Sequence, residues 1–251
     1  MPDLGISSLE MLFAAGVILL AYFVFGVSGF GSAIVAVPLL THVLPIQEAV
    51  PQIVFLDVIT AFLIGRKSFN DIAIHELKWL MPFALVGMVI GITLLIKAPS
   101  HLLLGVLAIF TLFNGVKSLL TPHKVHAVCH RGWGALTGLV AGGFSALYGT
   151  GGPIYAIYLS KRILDARVMR ATMSAIIFLN VWFRVVTLTV AGLLLTTENL
   201  WRTACLIPVA VVAIIVGTRF QKHLSPKGFK RFFSLLLIAS ALTILPKVFI
   251  G

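Results

Sequence analysis

The sequence predicts an all-α integral membrane protein made of two inverted repeats, each a broken re-entrant helical hairpin followed by three transmembrane helices. Three observations carry that expectation. The 251 residues are 59% hydrophobic and only 11% charged, where a soluble domain is about 25% charged; there is too little polar surface to cover a globule. A glycine break inside an apolar run occurs twice, as Gly29-Phe30-Gly31-Ser32-Ala33 and, 120 positions later, as Gly149-Thr150-Gly151-Gly152-Pro153. The basic residues lie in short connections between apolar runs, where they set the orientation of membrane helices.

Each element follows from the pattern of runs and breaks. Residues 1–10 form a short acidic tail with Asp3 and Glu10 and no lysine or arginine. A cleaved signal peptide has a basic start, so the first apolar run, about 11–28, is read as retained. After the break comes a short helix at about 32–42, then longer apolar segments at about 47–65, 79–96 and 101–120. The most polar connection, 121–131, joins the halves. The second half repeats the order: 132–148, the second break, a short helix at 152–160, then 171–194, 201–219 and 231–249. The domain reading is a first membrane repeat at 1–121, a basic connection at 122–131 and a second repeat at 132–251, all within one membrane domain. Helices of about 10 residues rise about 15 Å, half of a ~30 Å hydrocarbon core. The two short helices are therefore expected to be re-entrant, starting near the midplane.

The halves match beyond the glycines. Phe55-Leu56-Asp57-Val58 resembles Phe178-Leu179-Asn180-Val181, and Pro82 and Gly91 share the spacing of Pro208 and Gly217. Charge then tests the topology. If the second broken segment is a hairpin that enters and leaves on one face, the four connections around 66–78, 117–131, 161–170 and 219–231 share a side and hold fifteen lysines and arginines against three, Lys97, Arg202 and Lys247; charge leaves the first broken segment open, and the repeat argues that it too is a hairpin. If each hairpin were one crossing, the split would be near even. The hairpin reading puts the N-terminus outside and the basic connections in the cytoplasm.

Paired breaks at matching positions of two halves are the sequence mark of a transporter's binding site. The first amides of a helix lack intrahelical partners and carry a positive partial charge. Two such helix starts facing each other favour an anion, and glycine lets it approach the backbone. The candidate substrate-binding residues are Gly29, Gly31, Ser32 and Ala33 at the first break and Gly149, Thr150, Gly151 and Gly152 at the second, with Tyr148, Tyr155 and Tyr158 as further hydroxyl donors. The competing account of the glycines is close helix packing. Two charges lie deep in spans, Asp57 and Arg184. Such residues cost about 2.5–3.5 kcal/mol at a helix centre on insertion scales, so each needs a partner or a task. Arg184 is a candidate for holding an oxyanion by forked hydrogen bonds, and Asn180, one turn before it, is a further substrate-binding candidate. Asp57, at the position matching Asn180, is a candidate for charge balance or for carrying a coupling proton. A structural Asp57–Arg184 ion pair is the alternative.

Other classes are excluded or left weak. The net charge of +11 reflects the connections rather than nucleic-acid binding. His123, His126, Cys129 and His130 make no convincing metal set, and no cofactor is called for. No catalytic dyad lies within a span.

At the residues GFGSAIVAVPLL, beginning at Gly29, and GTGGPIYAIYL, beginning at Gly149, with proline- and glycine-marked later helices in each half, the chain resembles the sulfite exporter TauE/SafE family of membrane permeases over nearly its whole length. The resemblance implies a small transporter in the bacterial inner membrane for sulfur-containing anions or organic acids. The expected function is a secondary transporter for a small anion, sulfite or an organosulfonate, working by alternating access, with a passive anion channel or a carboxylate transporter as the alternative. Expected partners are that anion, a coupling proton or ion, and membrane lipid, with a homodimer left open.

Overall fold

The computed structural model describes residues 7–29, 31–64, 71–120, 130–194, 197–221 and 226–250. Most of the basic connection at 122–131 lies outside them, with His123, His126 and Cys129, as do Arg66 and Lys67. The described residues form helices α1 (Ser8–Ser28), α2 (Ser32–Leu40), α3 (Ile46–Ile64), α4 (Ile74–Lys97), α5 (Ser100–Leu120), α6 (Trp133–Tyr148), α7 (Gly152–Arg162), α8 (Ala166–Val190), α9 (Thr197–Phe220) and α10 (Pro226–Ile250). No strand occurs among them. Every apolar run became a helix, within a few residues of its expected bounds.

The ends have local causes. Ser7 caps α1 in a reciprocal capping box with Glu10, and Asp165 caps α8. α1 and α6 both stop at a left-handed glycine, Gly29 (φ 76°) and Gly149 (φ 71°), a conformation glycine takes without a Cβ penalty. The Gly29 amide donates to the Phe25 carbonyl (2.7 Å) and the Gly149 amide to that of Ser145 (2.8 Å), the same turn 120 residues apart. No side chain caps α2 or α7.

Five helices among the described residues are long and apolar enough to cross a membrane: α1, α4, α5, α8 and α9. α3, which carries Glu48, Gln52 and Asp57, and α10 were also expected to cross and are not in that set. Large apolar side chains on the outer faces are exposed, as at Val89, Ile109, Phe113 and Val186, as expected of surfaces that meet lipid.

The most extensive helix packings are α4 on α6, α5 on α10 and α1 on α9. Glycines set the first and third. A Cβ on Gly91 would stand 2.6 Å from the Gly143 carbonyl oxygen and 2.9 Å from the Ala146 Cβ. One on Gly217 would collide with the Phe23 carbonyl oxygen and stand 3.2 Å from the Gly26 Cα. Residues 143 and 146 lie 120 positions after 23 and 26, so the two contacts use corresponding residues. α4 thus packs on α6, and α9 on α1. Two apolar cores result among the described residues. One joins α1, α2, α3, α5, α9 and α10 with the C-terminal parts of α4, α6 and α8. A smaller one joins the N-terminal halves of α4 and α8 with α6 and α7.

Candidate functional site

α1 ends and α2 starts beside the end of α6. Gly149 makes this approach feasible: a Cβ there would stand 2.5 Å from the Ala33 Cβ, 2.9 Å from Arg184 Nη1 and 3.2 Å from Nη2. The two breaks therefore meet, with the Arg184 guanidinium against the second. Between them lies a cavity of about 50 Å³ lined by Gly31, Ser32 and Asp57 from the first half and by Gly149, Thr150, Gly152, Asn180 and Arg184 from the second. Its remaining wall is Phe25, Ser145, Pro153, Tyr155, Ile177 and Val181. A cavity of this size holds a few water-sized groups.

The charges are arranged unequally. Asp57 Oδ1 accepts from the Tyr22 hydroxyl (2.8 Å) and the Ser32 hydroxyl (3.0 Å). The Tyr22 hydroxyl also lies 3.3 Å from the Ile53 carbonyl oxygen. Asp57 Oδ2 stands 3.4 Å from Arg184 Nη1, a loose contact for an ion pair, where charge-assisted bonds run about 2.7–2.9 Å. Arg184 is 2% exposed, yet its Nε and Nη2 have no hydrogen-bond partner. Those two N–H groups form the side-on fork of the guanidinium, the edge that grips an oxyanion with two parallel bonds. The Thr150 hydroxyl, equally buried, is also unpartnered. Two residues of the wall thus carry three buried polar atoms, all able to donate, that no protein acceptor meets. Leaving buried donors unmade costs about 1–3 kcal/mol each, so a ligand or water that accepts from them is favoured.

Of the residues singled out from the sequence, eight line the cavity: Gly31, Ser32, Asp57, Gly149, Thr150, Gly152, Asn180 and Arg184. Three do not. Gly29 caps α1 with open space around it. Ala33 packs on Gly149. Gly151 has ordinary right-handed geometry (φ −65°), and a Cβ there would meet the Ala141 carbonyl oxygen at 2.5 Å, so it serves close packing on α6. Of the tyrosines proposed as donors, only Tyr155 reaches the cavity, and its hydroxyl bonds Asn180 Oδ1 (3.3 Å). Tyr148 donates to the Leu103 carbonyl and Tyr158 to Glu76. Asn180 uses its amide on the Ile176 carbonyl of its own helix (2.7 Å). Sequence reading missed Tyr22 and Ser145. A hydroxyl in an apolar run was the signal for both, but it marks many residues that merely bond their own helix, as Thr93 and Thr137 do.

The family model of the sulfite exporter TauE/SafE family matches residues 13–244. The chain belongs to that family. It is a membrane transporter and not an enzyme. A curated relative, the probable inner membrane transporter protein TsaS of Comamonas testosteroni, is 25% identical over 194 residues, covering 76% of this chain and 80% of the relative. No solved structure matches the chain.

Proposed function

We propose that this TauE/SafE member moves a small oxyanion, sulfite or an organosulfonate, across the inner membrane by alternating access, with the anion held in the cavity between the two glycine breaks. The observation that carries the reading is the free side-on fork of Arg184. A buried guanidinium whose Nη1 faces Asp57 and whose other edge has no partner is suited to a ligand with two coplanar oxygens on one centre, as a sulfonate, sulfite or carboxylate has. The unpartnered Thr150 hydroxyl and the uncapped starts of α2 and α7 add donors of the same sign. Cavity volume favours small members of the class. In this reading Asp57 balances Arg184 when the cavity is empty, or carries a coupling proton. The relative TsaS, a probable inner membrane transporter protein, supports the location.

The inverted repeat is part of the same reading. Exchanging α1–α5 for α6–α10 turns the α1–α9 packing into α6–α4 and leaves α5–α10 unchanged, and the corresponding glycine contacts agree. With the basic connections in the cytoplasm, α2 and α7 then approach the cavity from opposite faces.

The test is flux into proteoliposomes for sulfite, sulfoacetate, taurine, thiosulfate and simple carboxylates, with the Arg184→Ala variant beside each. Saturable flux of a sulfur oxyanion that Arg184→Ala reduces at least tenfold supports the proposal. Carboxylate flux alone moves the substrate class. Non-saturating conductance replaces the carrier with a channel.

A further inference from the structure

The two half-helices are held in different ways. In α2 eight of nine residues are buried, and six of them belong to the large apolar core. In α7 only Tyr155, Tyr158 and Leu159 of eleven are buried. Its far end is gripped instead by a polar cluster. Glu76, in the first turn of α4 and 6% exposed, takes Arg162 Nε (3.0 Å) and Nη2 (2.6 Å) on Oε1 and the Tyr158 hydroxyl (2.8 Å) on Oε2. Tyr158 and Arg162 are four apart and share a face of α7, so one carboxylate fixes both the rotation and the axial position of that helix.

We propose that α7 is the moving gate of the transporter and that Glu76 is its releasable clamp. Elements that open at low cost have few buried apolar contacts, which describes α7 and excludes α2. On the arginine side the clamp can also release without stranding a charge in the apolar interior. Arg162 is the last residue of α7 and its side chain is already 21% exposed, so water can take over when the bridge parts. The corresponding position in the second half shows the contrast. Arg202 lies 126 after Glu76, the offset that relates Gly217 to Gly91. Its side chain is 3% exposed and grips Glu48 (2.8 Å) and Glu198 (3.3 Å), on α3 and α9, and does not hold α2. An apolar contact would anchor α7 at less desolvation cost than an ion pair, so a carboxylate at 76 fits a contact that must part. Movement of α7 carries Gly152, Pro153 and Tyr155 away from the cavity and opens it on that side.

The inference builds on the transport reading, and its first test does not depend on substrate. Hydrogen exchange is measured on the full chain in nanodiscs. Glu76→Gln is expected to speed exchange of the α7 amides about tenfold and to leave those of α2 within twofold. Tyr158→Phe, a milder change that keeps the fold if Glu76→Gln does not, gives a smaller rise confined to α7. The charge swap Glu76→Arg with Arg162→Glu returns α7 to within about threefold of the parent. Unchanged α7 exchange, or equal acceleration in α2 and α7, overturns the proposal. Second, Glu76→Cys and Arg162→Cys, in a background lacking Cys129 and Cys205, are joined by a short reducible bifunctional thiol reagent. Sulfite flux is expected to stop and to return on reduction. Undiminished flux in the cross-linked protein overturns the gate. Absence of sulfite flux in the parent protein counts against the substrate assignment, and the exchange result still decides α7.

Discussion

Arg184 Nη1 stands 3.4 Å from Asp57 Oδ2, the longest ion-pair contact among the described residues, although both side chains are buried and carry opposite charge. Their other bonds explain why the distance matters. Asp57 has Tyr22 and Ser32 as donors, while Arg184 has two N–H groups with no acceptor. The pair is lopsided: removing the arginine leaves the carboxylate bonded, and removing the carboxylate charge leaves the arginine with little.

That asymmetry sets the first expectation. Breaking a buried ion pair from one side costs about 3–5 kcal/mol when the other charge is stranded. Asp57→Asn should therefore lower thermal stability more than Arg184→Ala does. Added anion should recover the Asp57→Asn variant, since a ligand stabilises the state that binds it, and should not recover Arg184→Ala. Melting curves of both singles, with and without sulfite, check this. Equal losses, and a double neutral variant that is stable and fully active, would leave the pair purely structural.

The glycines separate into two kinds that one substitution each distinguishes. Gly29→Ala places a Cβ in open space and costs only the left-handed geometry, about 1 kcal/mol. Gly149→Ala has the same strain and also drives a methyl against Ala33 and Arg184, so overpacking of about 1–3 kcal/mol is added. Anion flux should survive Gly29→Ala and fall steeply in Gly149→Ala. Adding Ala33→Gly to Gly149→Ala removes the closest clash and should restore part of the stability. A melting series and flux on the three variants give the answer; identical behaviour of Gly29→Ala and Gly149→Ala would contradict this geometry.

Much of this was legible in the chain, for physical reasons that also mark where legibility stopped. Spanning helices bury apolar residues on nearly all sides, so runs and their bounds stand out. A charge in such a run is conspicuous, which is how Asp57 and Arg184 were found. The glycine breaks were visible too, but their individual roles depended on neighbours. Gly151 faces the α6 backbone and Gly149 faces Arg184, and nothing in the local sequence separates them. Tyr22 meets Asp57 across 35 positions and an intervening half-helix. Glu76 lay beside Lys78 and read as part of a charged connection, although it is buried against the end of α7.

Tyr22 gives a third expectation. Its hydroxyl and that of Ser32 hold Asp57 Oδ1. Tyr22→Phe should weaken the carboxylate's fixation by about 1.5–3 kcal/mol, a hydrogen bond to a charged group, with little change in packing because the ring is kept. If Asp57 carries a coupling proton, the pH profile of flux should change in Tyr22→Phe, and the pH dependence should vanish in Asp57→Asn. Flux measured across the range from mildly acidic to mildly basic pH decides it. An unshifted profile in both variants would confine Asp57 to charge balance.

The orientation of the halves is tested by position. In the inverted reading the connection before α6 and the connection between α7 and α8 share the cytoplasmic face. His130 and Leu164 sit in these two places, and both are exposed; Leu164 is 87% exposed. In a background lacking Cys129 and Cys205, His130→Cys and Leu164→Cys should react with an impermeant thiol reagent from the same side, and not from the side that Ser7→Cys reports. The physical basis is the chain length between them. α6 has 16 residues and α7 has 11, rises of about 24 Å and about 17 Å, so an outward and a return arm fit within a ~30 Å core around the Gly149 turn. A single crossing would put His130 and Leu164 on opposite faces and would divide the basic residues almost evenly, against the usual cytoplasmic excess. Labelling of the two cysteines from opposite sides would remove the inverted repeat, and with it the opposed approach of α2 and α7 to the cavity.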